Sequence, residues 1–186
     1  MESQQAGGMV VSAEGISPEG EPPSEGEVVR WETLLVRAGC GRAVIAHAGA
    51  VTRLSLLYTK SPVVDRHLVE AGAMLHDIGR GTTHGIDHAQ RGAALGRSLA
   101  LDPSIVSIIE RHIGAGMTAD ECSLERLIPR DCVPLTVEEK IVANADNLVH
   151  GDRLGVIEET LLGALRLKRR IRRRIRRLYL EMECFR

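Results

Sequence analysis

Apolar residues recur at steps of three or four along most of the chain from Trp31 onward, the period of an amphipathic α-helix. Clusters of Gly, Pro and polar residues interrupt the pattern and mark the connections between helices. The pattern predicts helices over residues 31–38, 42–59, 63–77, 88–100, 103–113, 137–149 and 154–183. We therefore predict an all-α fold, a bundle of helices.

Two of these helices have clear start signals. Asp102 followed by Pro103 predicts an N-cap with proline at the first helical position, and Thr136 with Glu139 predicts a capping box. Residues 114–135 contain Gly, Pro and scattered charge, which predicts a loop with one helical turn at 124–127. A loop of this length in a compact domain is often functional.

The composition supports helices and a single main domain. Hydrophobic residues make up 44% of the 186-residue chain but aromatics only 2%, so the core must be aliphatic, which suits packed helices better than strands. Residues 1–28 combine Gly, Pro, Ser and Glu without a period and cannot bury enough surface to offset the ordering entropy. We predict a disordered acidic tail at 1–28, a catalytic domain at 29–162 and a basic helix at 163–186.

Charge is distributed very unevenly between the two ends. Residues 1–28 hold six Glu and no Lys or Arg, whereas residues 161–186 hold ten Lys or Arg and two Glu. The basic run is typical of a nucleic-acid or anionic-membrane surface. An apolar stripe nevertheless runs through the same segment, formed by Leu161, Leu165, Ile171, Ile175, Leu178 and Met182. We expect this stripe to pack on its own domain or on a second subunit of a homo-oligomer; RNA, acidic lipid and the acidic tail stay open as partners of the arginines.

Cysteine usage and hydropathy indicate a cellular compartment. Four cysteines are present without a C-x-x-C pair, so we expect reduced thiols. No segment reaches the roughly 20 apolar residues of a membrane span, and the N-terminus lacks a signal-peptide pattern. These features predict a cytoplasmic protein without a membrane span.

The dipeptide His76-Asp77 follows an apolar helical run and precedes Ile78-Gly79-Arg80. Adjacent helical positions differ by about 100° around the axis, so both side chains can reach one ion only where the backbone leaves the helix. We expect Gly79 to allow that departure. The sequence thus places a candidate metal-binding pair at a helix end.

Two more polar residues interrupt apolar helices. His47 stands between alanines, and Asp146 lies in the run Ala143–Leu148 of the 137–149 helix. A carboxylate on an apolar helix is costly to bury unless it is paired or bound to a metal. Two imidazoles and two carboxylates suit Fe²⁺, Mn²⁺, Co²⁺ or Zn²⁺ better than Mg²⁺.

The order His, His-Asp, Asp resembles the HD hydrolase superfamily, and residues 75–79 match its HDIG variant. The resemblance covers roughly residues 30–162 and implies a metal held by His47, His76, Asp77 and Asp146. It also implies that His88 and His112 bind a second ion, with Asp77 as the bridge; a helix cap and a core histidine are the alternatives for these two. One or two ions, Fe²⁺ or Mn²⁺, are therefore expected.

Three further residues are candidates for contact with substrate. Arg80 and Arg111 adjoin the proposed ligands, and a guanidinium binds phosphate oxygens well, although a surface ion pair is the alternative for each. His84 lies on the loop before His88 and is a candidate proton donor. Asp77, Arg80 and His84 are thus the predicted catalytic set. His67 and His150 are predicted to lie outside the site.

The resemblance implies metal-assisted hydrolysis of a small phosphorylated substrate. Residues 83–89, 111–116 and 138–148 resemble an archaeal HDIG group that includes an Fe²⁺-dependent dihydroneopterin 2′,3′-cyclic phosphate phosphodiesterase. The leading hypothesis is a phosphodiesterase that opens a 2′,3′-cyclic phosphate of a pterin or nucleoside. A nucleotidase or a dinucleoside polyphosphate hydrolase is the enzymatic alternative. An RNA-binding or regulatory protein on the same scaffold is the alternative of another class.

Overall fold

A computed structural model describes residues 25–185, with side chains from residue 31 onward. The helices are α1 (Glu25–Arg37), α2 (Arg42–Ser55), α3 (Arg66–Leu75), α4 (His88–Ser98), α5 (Pro103–Arg111), α6 (Ala119–Leu124), α7 (Val137–Leu148), α8 (Ile157–Gly163) and α9 (Arg169–Glu183). Strands β1 (Val149–His150) and β2 (Arg153–Leu154) form a short antiparallel hairpin. The prediction of an all-α fold is confirmed.

The predicted disordered tail lies outside the described residues, except for its last four positions. Residues 25–28 belong to α1, which begins six residues earlier than the apolar pattern indicated. Apolar periodicity cannot locate this start, because the first six residues of the helix are mostly polar or small. In the described part of the chain no helix is both long and apolar enough to cross a lipid bilayer.

The core consists of two apolar clusters that share helices α2, α3 and α5. One cluster surrounds α7, whose Ile141, Val142 and Ala143 are fully buried, and extends to α9. The other lies between α1, α3, α4 and α5 around Leu75 and Ile109. Because α2, α3 and α5 belong to both clusters, they form the rigid centre on which most of the candidate site residues stand.

Both predicted helix starts are confirmed. The Asp102 carboxylate accepts a hydrogen bond from the Ser104 backbone N–H at 2.7 Å. The Thr136 hydroxyl accepts from the Glu139 N–H, and the Glu139 carboxylate accepts from the Thr136 N–H. Each side chain satisfies backbone donors that have no partner within the helix.

The helical turn predicted at 124–127 is wrong in position. The structure instead has α6, which begins after Thr118 and ends at Leu124. Thr118 and Glu121 form the same reciprocal capping box as Thr136 and Glu139. The capping-box residues can be read in the sequence and define where the helix starts, whereas the apolar residues at 124–127 come at and after its end.

The single helix predicted over 154–183 is also wrong. The hairpin occupies Leu154, and the chain breaks between α8 and α9 through a 3₁₀ turn (Ala164–Arg166) and the extended residues Leu167 and Lys168. The break lets α9 turn Ile175, Leu178 and Met182 into the core, while Leu165 is left 59% exposed. The wide gap between Leu165 and Ile171 in the apolar stripe marks this break.

The turn after α3 is built by close backbone contact. Gly79 lies in a 3₁₀ turn (Ile78–Gly81), and its φ is not positive, so the chain does not leave the helix through a left-handed conformation at this residue. The helix already ends at Leu75, and Asp77 has left helical geometry with φ −99° and ψ 16°. A Cβ on Gly79 would lie 2.0 Å from the His88 carbonyl oxygen. Gly79 is therefore required for the close approach of α4.

Replacing Gly79 with alanine should lower the free energy of unfolding by about 3 kcal/mol or more, because the three nearest atoms that the new methyl meets all belong to the backbone of α4. Gly163→Ala is the matched control, since a Cβ there meets nothing within 4 Å and its backbone is helical. The control should be neutral or stabilising by about 0.5–1 kcal/mol. Chemical denaturation measures both variants; equal stability of the two would contradict the close-contact explanation.

Candidate metal centre

The end of α3 places His76 and Asp77 beneath the surface. The His76 imidazole is fully buried and the Asp77 side chain is 10% exposed. His76 Nε2 lies 3.8 Å from Asp77 Oδ2 and 3.6 Å from Asp146 Oδ1, and it is buried without a hydrogen-bond partner. A buried ring nitrogen that faces two carboxylates without bonding either is suited to hold a cation.

His47 on α2 and Asp146 on α7 complete this side of the site. His47 Nε2 and Asp146 Oδ1 are 3.0 Å apart, and the rings of His47 and His76 lie with centroids 5.3 Å apart. Both side chains are partly exposed, at 16% and 22%. The structure therefore brings together the four residues His47, His76, Asp77 and Asp146 from three different helices or their ends.

His88 and His112 lie near the second carboxylate oxygen of Asp77. Their Nε2 atoms are 3.2 and 3.6 Å from Asp77 Oδ1 and 3.0 Å from each other. Both side chains are buried. The two carboxylate oxygens of Asp77 thus face different histidine groups, Oδ2 toward His76 and Oδ1 toward His88 and His112.

A backbone carbonyl fixes the ring orientation of each histidine. The Nδ1 atoms of His76, His88 and His112 lie 2.7–2.8 Å from the carbonyl oxygens of residues 73, 85 and 109, each three positions earlier in the chain. His47 Nδ1 is 2.7 Å from the Gly151 carbonyl oxygen. A carbonyl only accepts hydrogen bonds, so each Nδ1 carries a proton and each Nε2 is directed toward the site. This is the arrangement found around metal-ligating histidines.

The facing Nε2 atoms of His88 and His112 indicate whether this side of the cluster suits an ion. With both Nδ1 atoms protonated, two Nε2 lone pairs would oppose each other at 3.0 Å. A proton or a cation between them removes that repulsion. Among the described residues, the groups His47, His76, Asp146 and His76, Asp77, His112 each bring ligand atoms within 4.8 Å of one another, which is close enough to hold a metal ion.

The pKa values of the clustered side chains favour a positive charge, either a proton or a cation, within the cluster. Burial opposes ionisation of Asp77 and Asp146, but the neighbouring imidazoles outweigh it and hold both carboxyl pKa values well below their usual range. Burial likewise opposes protonation of His76, but Asp77 and Asp146 raise its pKa to about 9. Burial lowers the pKa of His112. Without an ion, a proton on His76 balances the carboxylates, and a divalent cation would displace it.

Arg80 and His84 lie beside this cluster. Arg80 Nε donates to Asp77 Oδ1 at 3.2 Å, and its Nη1 donates to the His84 carbonyl oxygen at 3.0 Å. The His84 side chain is exposed on the loop before α4. Arg80 therefore connects the carboxylate between the histidine groups to the loop that carries His84.

Arg111 has a different partner. Its Nη1 donates to both oxygens of the buried Glu139, at 2.9 and 3.0 Å. Glu139 is also the capping residue of α7, so Arg111 ties the end of α5 to the start of α7. The structure places Arg111 next to His112, but an ion pair occupies this part of its guanidinium.

Sequence reasoning missed the hairpin residue that orients His47. Gly151 has φ +67°, and its carbonyl oxygen accepts the His47 Nδ1 hydrogen bond across 104 residues. The polar, glycine-containing cluster at 150–153 signals a turn, yet a turn signal does not show which distant side chain it contacts. His150, predicted to lie outside the site, has its Nε2 3.7 Å from Glu159 on α8.

Comparison with known families assigns the fold. The family model described as HD domain matches residues 44–150, more than half of the chain. The chain belongs to the HD domain family. The matched segment contains all of the candidate ligands. As an HD domain with side-chain clusters that could hold a metal, the protein is assigned to the metal-dependent phosphohydrolases at the level of its family.

Curated relatives match this chain to different extents. An uncharacterised protein of Methanocaldococcus jannaschii is 42% identical over 127 residues, which cover 66% of this chain and 75% of that protein. A tRNA (cytidine(56)-2′-O)-methyltransferase of Picrophilus torridus is 48% identical over 111 residues, 60% of this chain but 33% of the methyltransferase. Ribonuclease Y of Acidothermus cellulolyticus is 28% identical over 130 residues, 69% of this chain and 23% of the ribonuclease.

This chain therefore aligns with one third or less of the length of the methyltransferase and of the ribonuclease. No solved structure matches the chain significantly.

Proposed function

We propose that this HD domain protein is a two-ion phosphodiesterase that opens a 2′,3′-cyclic phosphate of a pterin or a nucleoside. The observation that carries the proposal is the position of the Asp77 carboxylate, which presents one oxygen to His76 and the other to His88 and His112. A carboxylate between two groups of imidazoles is the arrangement that a pair of adjacent ions requires.

The proposed ligand sets follow from these distances. His47, His76, Asp77 and Asp146 would hold one ion, and His88, His112 and Asp77 the other. Nitrogen and carboxylate donors in this mixture fit Fe²⁺ or Mn²⁺. When bound, such ions lower the pKa of water, polarise a phosphoryl oxygen and stabilise both the attacking and the leaving oxygen.

The remaining residues would position substrate and move a proton. Arg80 is already oriented by Asp77 and by the His84 carbonyl, so its other N–H groups are available for a non-bridging phosphate oxygen. His84 is exposed on the adjoining loop and would donate a proton to the departing ribose or side-chain oxygen. Arg111 would contribute only through the guanidinium nitrogens that do not bind Glu139.

Two observations support a phosphodiester as the substrate. The resemblance of residues 83–89 and 111–116 is to an HDIG group that includes a cyclic phosphodiesterase. A relative that shares this domain is named a ribonuclease, although the similarity covers 23% of it. Opening the ring would leave a 2′- or 3′-phosphate monoester.

The test compares kcat/KM for 2′,3′-cyclic nucleotides, 5′-monophosphates and diadenosine polyphosphates with Fe²⁺ or Mn²⁺ in the absence of oxygen. We expect the cyclic substrate to be preferred by more than tenfold. Arg80→Gln should lower kcat for it by about 10²-fold, because charge on the phosphate grows during attack. Arg91→Gln is the control, since this exposed arginine pairs with Asp87 outside the cluster. A tenfold preference for either other substrate would instead assign a nucleotidase or a polyphosphate hydrolase.

A further inference from the structure

A groove separates α8 from α9 on the surface of the protein. Its volume is about 500 Å³. Leucines line one side and arginines the other, with Glu158 at the edge: Leu161, Leu162, Leu165, Arg169, Arg172, Arg173 and Arg176. Leu162 and Leu165 are 64% and 59% exposed, so the apolar side is open to solvent.

Six of the seven arginines of α9 fall into two sets. Arg170 and Arg174 form the inner set, since both bind the buried Glu121 carboxylate, at 3.0 and 2.7 Å. The arginines of the groove have no ion pair with any carboxylate of the described residues. Packing against the domain therefore explains the inner set. The arginines of the groove, the outer set, are left without a partner.

The outer set lies near the start of α9, and this position raises the free-energy cost of its positive charge. Arg169 opens the helix, and the first turn of α9 contains no acidic residue, so the helix dipole adds positive potential at this end. Arg169, Arg172, Arg173 and Arg176 follow steps of three and four and share one face of about two turns, roughly 10 Å long. A ligand with several negative charges in a row would relieve this repulsion.

We propose that this groove binds a single strand of nucleic acid, with the arginines on successive phosphates and the leucines against the bases. Proteins that hold single strands without reading their sequence combine a positively charged groove with side chains against which the bases pack, usually aromatic ones; in this groove the leucines would take that place. Two copies of the chain that met at this groove across a two-fold axis would bring two sets of unpaired arginines into one interface. An anionic membrane would need the leucines on a convex face, whereas here they line a concavity.

Helix α9, which carries the arginines of the groove, and helix α7 both contact the loop after His112. Arg174 Nη2 donates to the Gly116 carbonyl oxygen at 2.6 Å, and Asn147 Nδ2 donates to that of Gly114 at 2.7 Å. These bonds brace the loop that directly follows His112. A strand in the groove would thus lie on elements that support the ligands, although strand binding does not depend on the proposed hydrolysis.

The experiment measures fluorescence anisotropy of a labelled 20-nucleotide RNA, and of DNA of the same sequence, with the full chain. We expect binding at low salt, with log K falling by about 2–3 per tenfold rise in salt if four phosphates are contacted. Arg169→Gln with Arg173→Gln should weaken binding at least tenfold and reduce this salt dependence by about half. Both residues are exposed and have no ion pair, so circular dichroism should show an unchanged fold.

The matched control removes two charges elsewhere. Arg37→Gln with Arg42→Gln changes exposed arginines without an ion pair on α1 and at the start of α2, and should bind nearly as the unmodified chain does. Absence of binding to both strands, or equal loss in the two double variants, would overturn the proposal. So would binding of phosphatidylserine vesicles without binding of either strand. RNA and DNA affinities show which strand is preferred, and turnover of a small cyclic nucleotide, measured in parallel, tests the proposed function separately.

Discussion

Replacing Asp77 with alanine should abolish both tight metal binding and hydrolysis. This carboxylate lies between His76 on one side and His88 and His112 on the other, so its removal takes a ligand from both proposed ions. We expect the metal content to fall from about two equivalents to near zero and kcat/KM to fall by more than about 10³-fold, since the ions supply the activated water. Metal analysis of protein purified without oxygen measures the first effect.

A second readout of this variant does not require the ion. In the metal-free protein Asp77 is the strongest of the influences that raise the pKa of His76 to about 9, so the pKa should fall markedly in Asp77→Ala. Titration of the imidazole by NMR follows this change. Asp120→Ala, an exposed aspartate on α6, is the control for loss of one negative charge. Full activity in Asp77→Ala would rule out the proposed centre.

Replacing His88 and His112 together with alanine should lower the bound metal from about two equivalents to one. Their Nε2 atoms belong to the Oδ1 side of Asp77, whereas His47 and Asp146 remain for the other ion. We expect a loss of kcat of about 10²-fold or more, because one ion would no longer stabilise both the attacking and the leaving oxygen.

The control for this pair is His67→Ala, which changes a histidine of α3 outside the cluster. Both histidines are buried, so the double variant will lose some stability, and metal stoichiometry has to be measured on protein shown to be folded. His88→Gln with His112→Gln keeps more of the volume and serves as the second variant. An unchanged stoichiometry in a folded double variant would assign both histidines to structural roles.

The sequence predicts more about this site than about the contacts that support it. Helical periodicity locates the end of α3, and hence His76 and Asp77, because that signal is local. Gly79 shows the limit of local reasoning: a glycine after a helix suggests a left-handed cap, but here it makes room for the backbone of α4. That requirement arises from packing between helices.

Two further contacts depend on residues far apart in the chain. The bond from His47 to Gly151 spans 104 residues, and the ion pair of Arg111 with Glu139 spans 28. A single sequence contains no signal that couples such positions. The break between α8 and α9, in contrast, was visible as the gap in the apolar stripe after Leu165, and the start of α6 as the Thr118–Glu121 capping box.

The contacts between the histidines and backbone carbonyls determine whether the entropy cost of orienting these side chains falls on folding or on ion binding. Three imidazoles take their orientation from a carbonyl three residues earlier, so their rotamers are restricted as soon as each helix end folds. The side-chain entropy of these ligands is thus lost during folding, and it does not weaken the later capture of an ion. His47 differs, because its orientation depends on the distant Gly151 and is set only when the hairpin has docked against α2.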